Sequence, residues 1–293
     1  MGTTIQITIY EPKSKIKALD AIDDAFEQFD HVIKKFSRFD PESELSHLNK
    51  SQGKWFKVSK EFFMLIEKSL LASKESNYLF DPTIIDLLIA YGYDKSYDPG
   101  RIIRRTKTGS FKRELEHVMK NRPYPSEINM DKKNLSIFLQ KKQRLDLGAS
   151  GKGYAIDLAR NALIKAGFKN FIVNAGGDVY VGEKGKKVAL FDPRNPASPL
   201  GTIILKNKAL AGSGSFAKKT GDFHHILNPG SGKAENKILQ TYAIAPTALE
   251  ADIYATVLFL MGRKGLELMQ TKGFQSIIIS DKEIYSEVVL LES

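Results

Sequence analysis

The stretch that decides the fold is LDLGASGKGYAIDLARNALIKAGFKNFIVNAGGDVYVGEK, from Leu145 to Lys184. Glycines surround Lys152, and apolar residues at helical spacing continue as far as Gly167, a residue type that commonly ends a helix. The FIVNA segment then has the composition of a strand, and its last two residues begin the sequence Asn-Ala-Gly-Gly-Asp. The stretch therefore predicts a glycine-rich turn, a helix over about 153–166 and a strand.

The glycine-rich turn is neither of the two common phosphate-binding loops. A Walker A loop has Ser or Thr after its lysine, whereas Gly153 follows Lys152, and the glycine spacing differs from GxGxxG. The first N–H groups of a helix together with Lys152 would still suit a phosphate. Asp146 could accept a hydrogen bond from a base or a ribose. A tight turn that simply requires glycine explains the same residues.

Outside this stretch, helices and strands are mixed without regular alternation. TTIQITIY predicts a strand at the start of the chain, and apolar residues at helical spacing predict a helix over Ser14–Phe36. Thr247 and Glu250 have the spacing of a capping box, so a helix is expected to begin there. Further strands are predicted at 188–191, 202–205, 208–211, 241–245, 275–280 and 288–291. This mixture predicts an α+β fold.

Composition excludes several classes of protein. The chain has no cysteine, which excludes disulfides and cysteine nucleophiles. No apolar run reaches the roughly 18 residues of a transmembrane helix. The net charge is +10, but the basic residues are scattered apart from Gly100–Arg113 and no nucleic-acid-binding motif accompanies them. We expect a single domain over residues 1–293, with a polar, basic insertion around 94–125, and no nucleic-acid partner.

Two further groups of residues are candidates for chemistry. Asp252 and Thr256 lie four residues apart, on one face of the predicted helix, and carry the hard oxygen donors that magnesium prefers. An aspartate that stabilises the helix dipole beside a packing threonine is the alternative. In DFHHILNPGSGK, His224 and His225 point to opposite sides if the segment is extended, so at most one of them faces a given site.

Taken together, these segments resemble the ApbE family of FAD:protein FMN transferases. The matching blocks follow the family's order over residues 1–262: MGT, FSRFDPESELSHLN, FDPTIIDLLIAYGY, DLGASGKGYAIDLA, VNAGGD, HHILNPGSGK and AIAPTALEADIYATVLFLMG. Each block is weak by itself, but their joint order is specific. The resemblance implies a two-lobed ApbE-like fold with mixed or antiparallel sheets and a cleft for FAD between the lobes.

The resemblance also implies the residues of the site. FAD, as the substrate, is expected to contact Met1, Phe39, Leu79, Phe80, Asp81, Asp146, Lys152, His225, Ile226 and Leu227. Mg²⁺ is expected at the backbone carbonyl of Ala149 and at the side chains of Asp252 and Thr256. His225 is the expected catalytic base and Lys152 the second catalytic residue, while His224 is interpreted as structural.

The sequence departs from the family's pattern at two places. Ser150-Gly151 stands where the family often has an aliphatic residue followed by alanine. Asn228 stands where the family usually has aspartate. The second change leaves one carboxylate fewer near the expected metal, which would affect affinity for the cation rather than the fold.

The reaction implied is transfer of the FMN moiety of FAD to a threonine of a partner protein through a phosphoester bond, with release of AMP. Family acceptors carry that threonine in an Asp-Gly-x-Ser/Thr-Gly-Ala-Thr motif, and this chain has no Asp-Gly dipeptide, so the acceptor is expected to be another protein. The alternatives are an FAD pyrophosphatase that releases FMN and AMP, and a non-catalytic FAD-binding carrier.

Location is implied by the resemblance alone. Many relatives are exported and anchored by a lipid upstream of the MGT block, where this chain begins. An extracytoplasmic, membrane-anchored precursor is therefore expected, with a cytoplasmic location as the alternative. Membrane association would come only from an N-terminal lipid anchor that the present chain does not include.

Overall fold

The computed structural model describes residues 2–94, 98–216 and 223–291. Met1, an expected FAD contact, therefore lies outside the described residues. The chain forms two compact units. The first comprises Met1–Lys34, Gly148–Gly214 and Lys237–Ser293, and the second comprises Lys35–Leu147 and Ser215–Asn236. The expectation of a single domain over 1–293 stays a prediction.

Helices and strands alternate irregularly along the described residues. The α-helices are α1 (Lys15–Phe36), α2 (Glu44–Lys50), α3 (Lys60–Glu75), α4 (Ile85–Tyr91), α5 (Pro99–Thr106), α6 (Gly109–Asn121), α7 (Gly151–Lys165), α8 (Ala248–Met261) and α9 (Leu266–Thr271). The strands are β1 (Ile5–Ile9), β2 (Trp55–Lys57), β3 (Asn129–Asp131), β4 (Ser136–Phe138), β5 (Phe171–Ala175), β6 (Asp178–Val181), β7 (Lys186–Phe191), β8 (Pro199–Leu205), β9 (Lys208–Gly214), β10 (Leu227–Asn228), β11 (Lys233–Ala234), β12 (Gln240–Ala245), β13 (Gln275–Ile279) and β14 (Ile284–Ser286). The predicted α+β class is confirmed.

The first unit is built on an antiparallel sheet with the strand order β1-β5-β6-β9-β12-β13-β14. Helix α8 packs against β9 and β12, and α7 packs against α8. Because α8 is apolar on nearly every side, its residues Val257, Leu258 and Phe259 have no exposed surface. The sheet and α8 therefore form the core against which α7 is positioned.

Local signals place both helices of this unit. Helix α7 ends before Gly167, whose φ of +89° is the left-handed conformation that glycine adopts easily. The hydroxyl of Thr247 accepts a hydrogen bond from the N–H of Glu250 over 3.2 Å and donates to the carboxylate of Glu250 over 2.8 Å. The predicted start of α8 is therefore confirmed.

The predicted strand over 288–291 is wrong. The last strand is β14, which pairs with β13 in a hairpin, and the N–H of Ser280 donates to the carbonyl of Glu283 across its turn. Because this turn follows β13 directly, the residues just after the turn, which form β14, pair with β13. Val288 and Leu290 instead pack against the core of the sheet, and Leu291 forms a single bridge with Thr202.

The second unit combines short helices with two small sheets, β2-β4-β3 and β10-β11. Its apolar cluster joins α4 to the predicted basic insertion, which contains α5 and α6. The buried members of the cluster are Leu87, Leu88, Tyr91, Tyr93, Ile102, Phe111 and Leu227.

Among the described residues, no helix has both the length and the apolar character needed to cross a membrane.

Candidate functional site

The glycine-rich turn brings the start of α7 against the first turns of α8. The N–H of Gly153 donates to Oδ2 of Asp252 over 2.9 Å. A Cβ atom at position 153 would lie 2.2 Å from the carbonyl oxygen of Ala248, whereas one at Gly151 would have nothing within 4 Å. Glycine is therefore required at 153 for the close approach of the two helices, and this approach places Asp252 at the N-terminus of α7.

The ammonium group of Lys152 lies between two buried aspartates. Its Nζ forms an ion pair with Oδ2 of Asp178 and lies 3.3 Å from Oδ1 of Asp252. The exposed fraction of the side chain is 25% for Lys152, 3% for Asp178 and 6% for Asp252. Two carboxylates and one ammonium leave one negative charge in excess, which suits a further cation.

The Gly-Gly-Asp sequence after β5 positions Asp178. Gly176 and Gly177 both have positive φ, +64° and +96°, so they form a turn that other residues adopt with difficulty. Asp178 follows at the start of β6, and its Oδ1 accepts a hydrogen bond of 3.0 Å from the N–H of Gly212 in β9. The backbone of a neighbouring strand therefore fixes one carboxylate oxygen while the other faces Lys152.

The other two expected metal ligands are Thr256, in the same helix as Asp252, and Ala149, in the turn before α7. The hydroxyl of Thr256, one helical turn further along α8, is 2.9 Å from the hydroxyl of Ser213 and 3.4 Å from the carbonyl of Asp252. Ala149 lies in the turn before α7. Because the N–H of Gly153 donates to Asp252, it does not take the Ala149 carbonyl that a longer helix would use. The carbonyl of Ala149 therefore stays an expected ligand of the cation.

Asp157 joins the two helices. Its carboxylate oxygens accept hydrogen bonds of 2.9 Å each from the N–H groups of Ala248 and Leu249, which are among the unsatisfied donors at the start of α8. Burial raises the pKa of Asp157, although these N–H groups and Arg160 favour the charged form. Asp157 thus holds the start of α8 against α7, and with it the spacing between Lys152 and Asp252.

In the second unit, the loop after α3 carries the expected flavin contacts Leu79, Phe80 and Asp81. The side chain of Asp81 is fully buried and forms an ion pair with Arg122. Its Oδ1 also accepts from the N–H and the hydroxyl of Thr83 over 2.7 and 2.6 Å. Since the carboxylate has no exposed surface, any contact of Asp81 with a ligand would come from its backbone.

Two arginines tie the expected site residues of this unit together. Arg38 forms an ion pair of 2.8 Å with Asp146, donates 2.6 Å to the carbonyl of Tyr93 and stacks over the ring of Phe39 at 4.6 Å. Arg122, besides its ion pair with Asp81, donates 3.0 Å to the carbonyl of Pro229. These two side chains fix the segments around Phe39, Asp81, Asp146 and the histidine loop.

The two adjacent histidines have different environments. His224 has no exposed surface; its Nε2 lies 2.7 Å from the carbonyl of Glu235, and its Nδ1 accepts from the N–H of Ile226 over 3.2 Å. This arrangement makes His224 structural, as interpreted from the sequence. His225 is only partly buried, and its ring lies edge-on to Tyr93 at a centroid distance of 6.4 Å. His225 is therefore the histidine that remains accessible to a ligand.

Comparison with known proteins agrees with this geometry. A family model described as the ApbE family matches residues 1–278. The chain belongs to the ApbE family. The family recognised from the sequence motifs is thus confirmed, because the match covers almost the whole chain.

Individual ApbE relatives agree in name and fold. The chain is 23% identical to the FAD:protein FMN transferase of Buchnera aphidicola over 97% of its length and 84% of the relative's. It is 24% identical to that of Escherichia coli K12, over 86% of this chain and 74% of the other. The ApbE protein of Thermotoga maritima, known from its crystal structure, is 26% identical in sequence to this chain. The two structures superpose with a TM-score of 0.84 over 97% of this chain and 94% of the other. The Vibrio cholerae structure titled flavin transferase ApbE, 19% identical, shares the fold with a TM-score of 0.81, over 98% and 94% of the two chains. An enzyme of this class was expected from the sequence, and these names confirm it.

The oxygen donors of the ApbE site fit a magnesium ion that shares its coordination with a substrate. Among the residues that the structure describes, no three His, Asp or Glu side chains come together as a metal-binding group. Mg²⁺ commonly takes only one or two protein carboxylates and completes its shell with water and phosphate oxygens. Asp252, the Thr256 hydroxyl and the Ala149 carbonyl match that pattern.

Asp178, Arg38 and Arg122 belong to the site but were not predicted from the sequence. All three lie in or beside the quoted motifs or the basic insertion, but their partners are remote in the chain. The signal that could have found Asp178 is its position after two glycines in VNAGGD. For Arg122 we see no such signal, because its partner Asp81 is separated from it by the whole insertion.

Proposed function

We propose that this protein transfers the FMN moiety of FAD to a threonine of a target protein, through a phosphoester bond and with release of AMP. One observation carries the proposal: in a chain of the ApbE family, the ammonium of Lys152 and the carboxylate of Asp252 meet at the N-terminus of α7. An ammonium and a helix N-terminus bind the oxygens of a diphosphate, and a carboxylate beside them holds a cation.

The site residues of the first unit have separate roles in this proposal. Asp252, Thr256 and the carbonyl of Ala149 would hold Mg²⁺, and Lys152 would donate to a diphosphate oxygen. When bound, the ion neutralises charge that develops on the leaving phosphate of AMP. Asp157 keeps α8 in place during the reaction, since it bonds the first N–H groups of that helix.

His225 would act as the general base. The threonine oxygen attacks the phosphorus of the FMN half, the bond from that phosphorus to the bridging oxygen breaks, and AMP leaves with this oxygen. The threonine proton passes to His225, because an imidazole ring accepts and releases protons readily near neutral pH. Phe39 and Asp146 would contact FAD through their side chains, whereas the buried Leu227 would contact it through its backbone.

The acceptor would be another protein that carries the family's threonine motif. Water in place of that threonine would make the same site an FAD pyrophosphatase, and loss of turnover with retained binding would make it a carrier. These alternatives differ in products, so one experiment separates them.

The test is to incubate the protein with FAD and Mg²⁺, with and without an acceptor domain, and to measure released AMP and the acceptor's mass. A gain of one FMN that is lost in Asp252→Ala but kept in Asp281→Ala, an exposed aspartate in the turn after β13, supports the transferase. AMP without an acceptor adduct favours the pyrophosphatase. FAD binding without either product favours the carrier and refutes the mechanism.

A further inference from the structure

The ion pair of Lys152 raises a question about the cation proposed for Asp252. Lys152 contacts both Asp178 and Asp252, and both carboxylates are almost completely buried. A lysine ammonium is a compact charge on a flexible stem, so it moves easily between neighbouring carboxylates. In the absence of another partner it would settle on Asp252 and occupy the position that a divalent cation needs.

We propose that Asp178 is a positioning residue that holds the ammonium of Lys152 away from Asp252 and so keeps Asp252 available to the cation. This inference rests on the proposed function, which assigns a metal to Asp252. The Oδ2 atom of Asp178 forms the closer of the two ion pairs, while Asp252 stands 3.3 Å from the ammonium. Asp178 is therefore the main counterion of Lys152.

The structure around Asp178 suits that role. Its Oδ1 is fixed by the N–H of Gly212 over 3.0 Å, and the turn before it is closely packed, since a Cβ atom at Gly176 would lie 2.0 Å from the hydroxyl of Thr3. The carboxylate of Asp252 is fixed in the same way by the N–H of Gly153 over 2.9 Å. Because both carboxylates are held by backbone N–H groups, the ammonium is the mobile member of the group.

The role of Asp178 explains the Gly-Gly-Asp segment without a phosphate-binding loop. The two glycines permit the tight turn between β5 and β6, and the turn delivers a carboxylate to Lys152. Asp178 would also keep Lys152 directed towards substrate oxygens once the cation is bound. It contacts Lys152 and does not need to contact the substrate itself.

The test is a double-mutant cycle on cation affinity, measured with Mn²⁺ alone by electron paramagnetic resonance, without FAD or acceptor. The four proteins are the wild type, Asp178→Asn, Lys152→Met and the double variant. Simple loss of a negative charge would make Asp178→Asn weaken Mn²⁺ binding by the same factor in both backgrounds. The proposal expects a factor about tenfold larger when Lys152 is present, because only then can an ammonium move onto Asp252.

Equal factors in the two backgrounds, or an unchanged affinity in Asp178→Asn, would overturn the positioning role while leaving the metal site intact. If the wild type shows no Mn²⁺ binding that Asp252→Ala removes, the proposed metal site fails, and this inference fails with it. The matched control is Asp192→Asn, which removes another buried carboxylate that is paired with Arg194 and shares no contact with Lys152. It should leave Mn²⁺ affinity unchanged.

A second variant covers the case in which Asp178→Asn does not fold, as judged by circular dichroism and thermal unfolding. Asp178→Glu keeps the charge but shifts the carboxylate by one methylene. Charge alone predicts unchanged Mn²⁺ affinity for this variant. The proposal predicts weaker binding that Lys152→Met relieves, and a result without this relief would contradict it.

Discussion

Substitution of Gly153 by alanine tests the packing that brings α7 to Asp252. The added methyl group would lie 2.2 Å from the carbonyl oxygen of Ala248 and 2.8 Å from Cβ of Asp252. Both distances are shorter than any ordinary contact, and the first involves backbone that cannot rotate away. The two helices must therefore move apart, and the hydrogen bond from the N–H of residue 153 to Asp252 is stretched or lost.

The expected cost follows from three effects. Overpacking costs about 1–3 kcal/mol, and loss of a hydrogen bond to a buried carboxylate costs about 1.5–3 kcal/mol. The higher helix propensity of alanine returns about 1 kcal/mol. The free energy of unfolding should therefore fall by about 1.5–5 kcal/mol. Mg²⁺-dependent release of AMP should fall as well, because Asp252 is displaced from the N-terminus of α7.

Gly151→Ala is the matched control, since it lies in the same first turn of α7 with nothing within 4 Å of the added methyl group. Its stability should be unchanged or raised by up to about 1 kcal/mol. Urea unfolding of both variants, followed by far-ultraviolet circular dichroism, gives the comparison. Equal midpoints for the two variants, with equal AMP release, would refute the close approach of the helices at Gly153.

Three further outcomes are expected. His225→Asn should reduce flavin transfer by about 10²–10⁴-fold with little change in melting temperature. His224→Asn should instead lower the free energy of unfolding by about 1–3 kcal/mol, while the folded fraction keeps its activity. Similar transfer rates in the two variants would show that His225 is not the base. The raised pKa of Asp157 means that the native state binds its proton more tightly than the unfolded chain does. The stability contributed by this proton is therefore complete below the ordinary aspartate pKa and is lost as the pH rises through the raised native value. Asp157→Asn should remove this decline, and urea midpoints measured across the acid range that decline equally in both proteins would contradict it. Arg122→Met should destabilise the protein by about 3–5 kcal/mol because it leaves the buried Asp81 carboxylate without its counterion, and a thermal unfolding curve that matches the wild type would contradict this.

The sequence predicted those features that depend on neighbouring residues. The end of α7 before Gly167 and the start of α8 after Thr247 were both predicted correctly, because a left-handed glycine and a capping hydroxyl act within one turn of the chain. The strand predicted over 288–291 was wrong because pairing depends on the partner strand. Because of the hairpin turn after β13, β14 pairs with β13, and Val288 packs against the core of the sheet instead.

By itself, the sequence determined the family, the fold class and the separate segments that carry candidate site residues, since each of these is a pattern along the chain. Only the tertiary structure decided which charges meet. Lys152 lies between Asp178 and Asp252, and Asp81 is neutralised by Arg122, although none of these partners is close in sequence. Such ion pairs depend on how strands and helices pack, because a buried charged side chain pairs with the opposite charge that the fold places beside it.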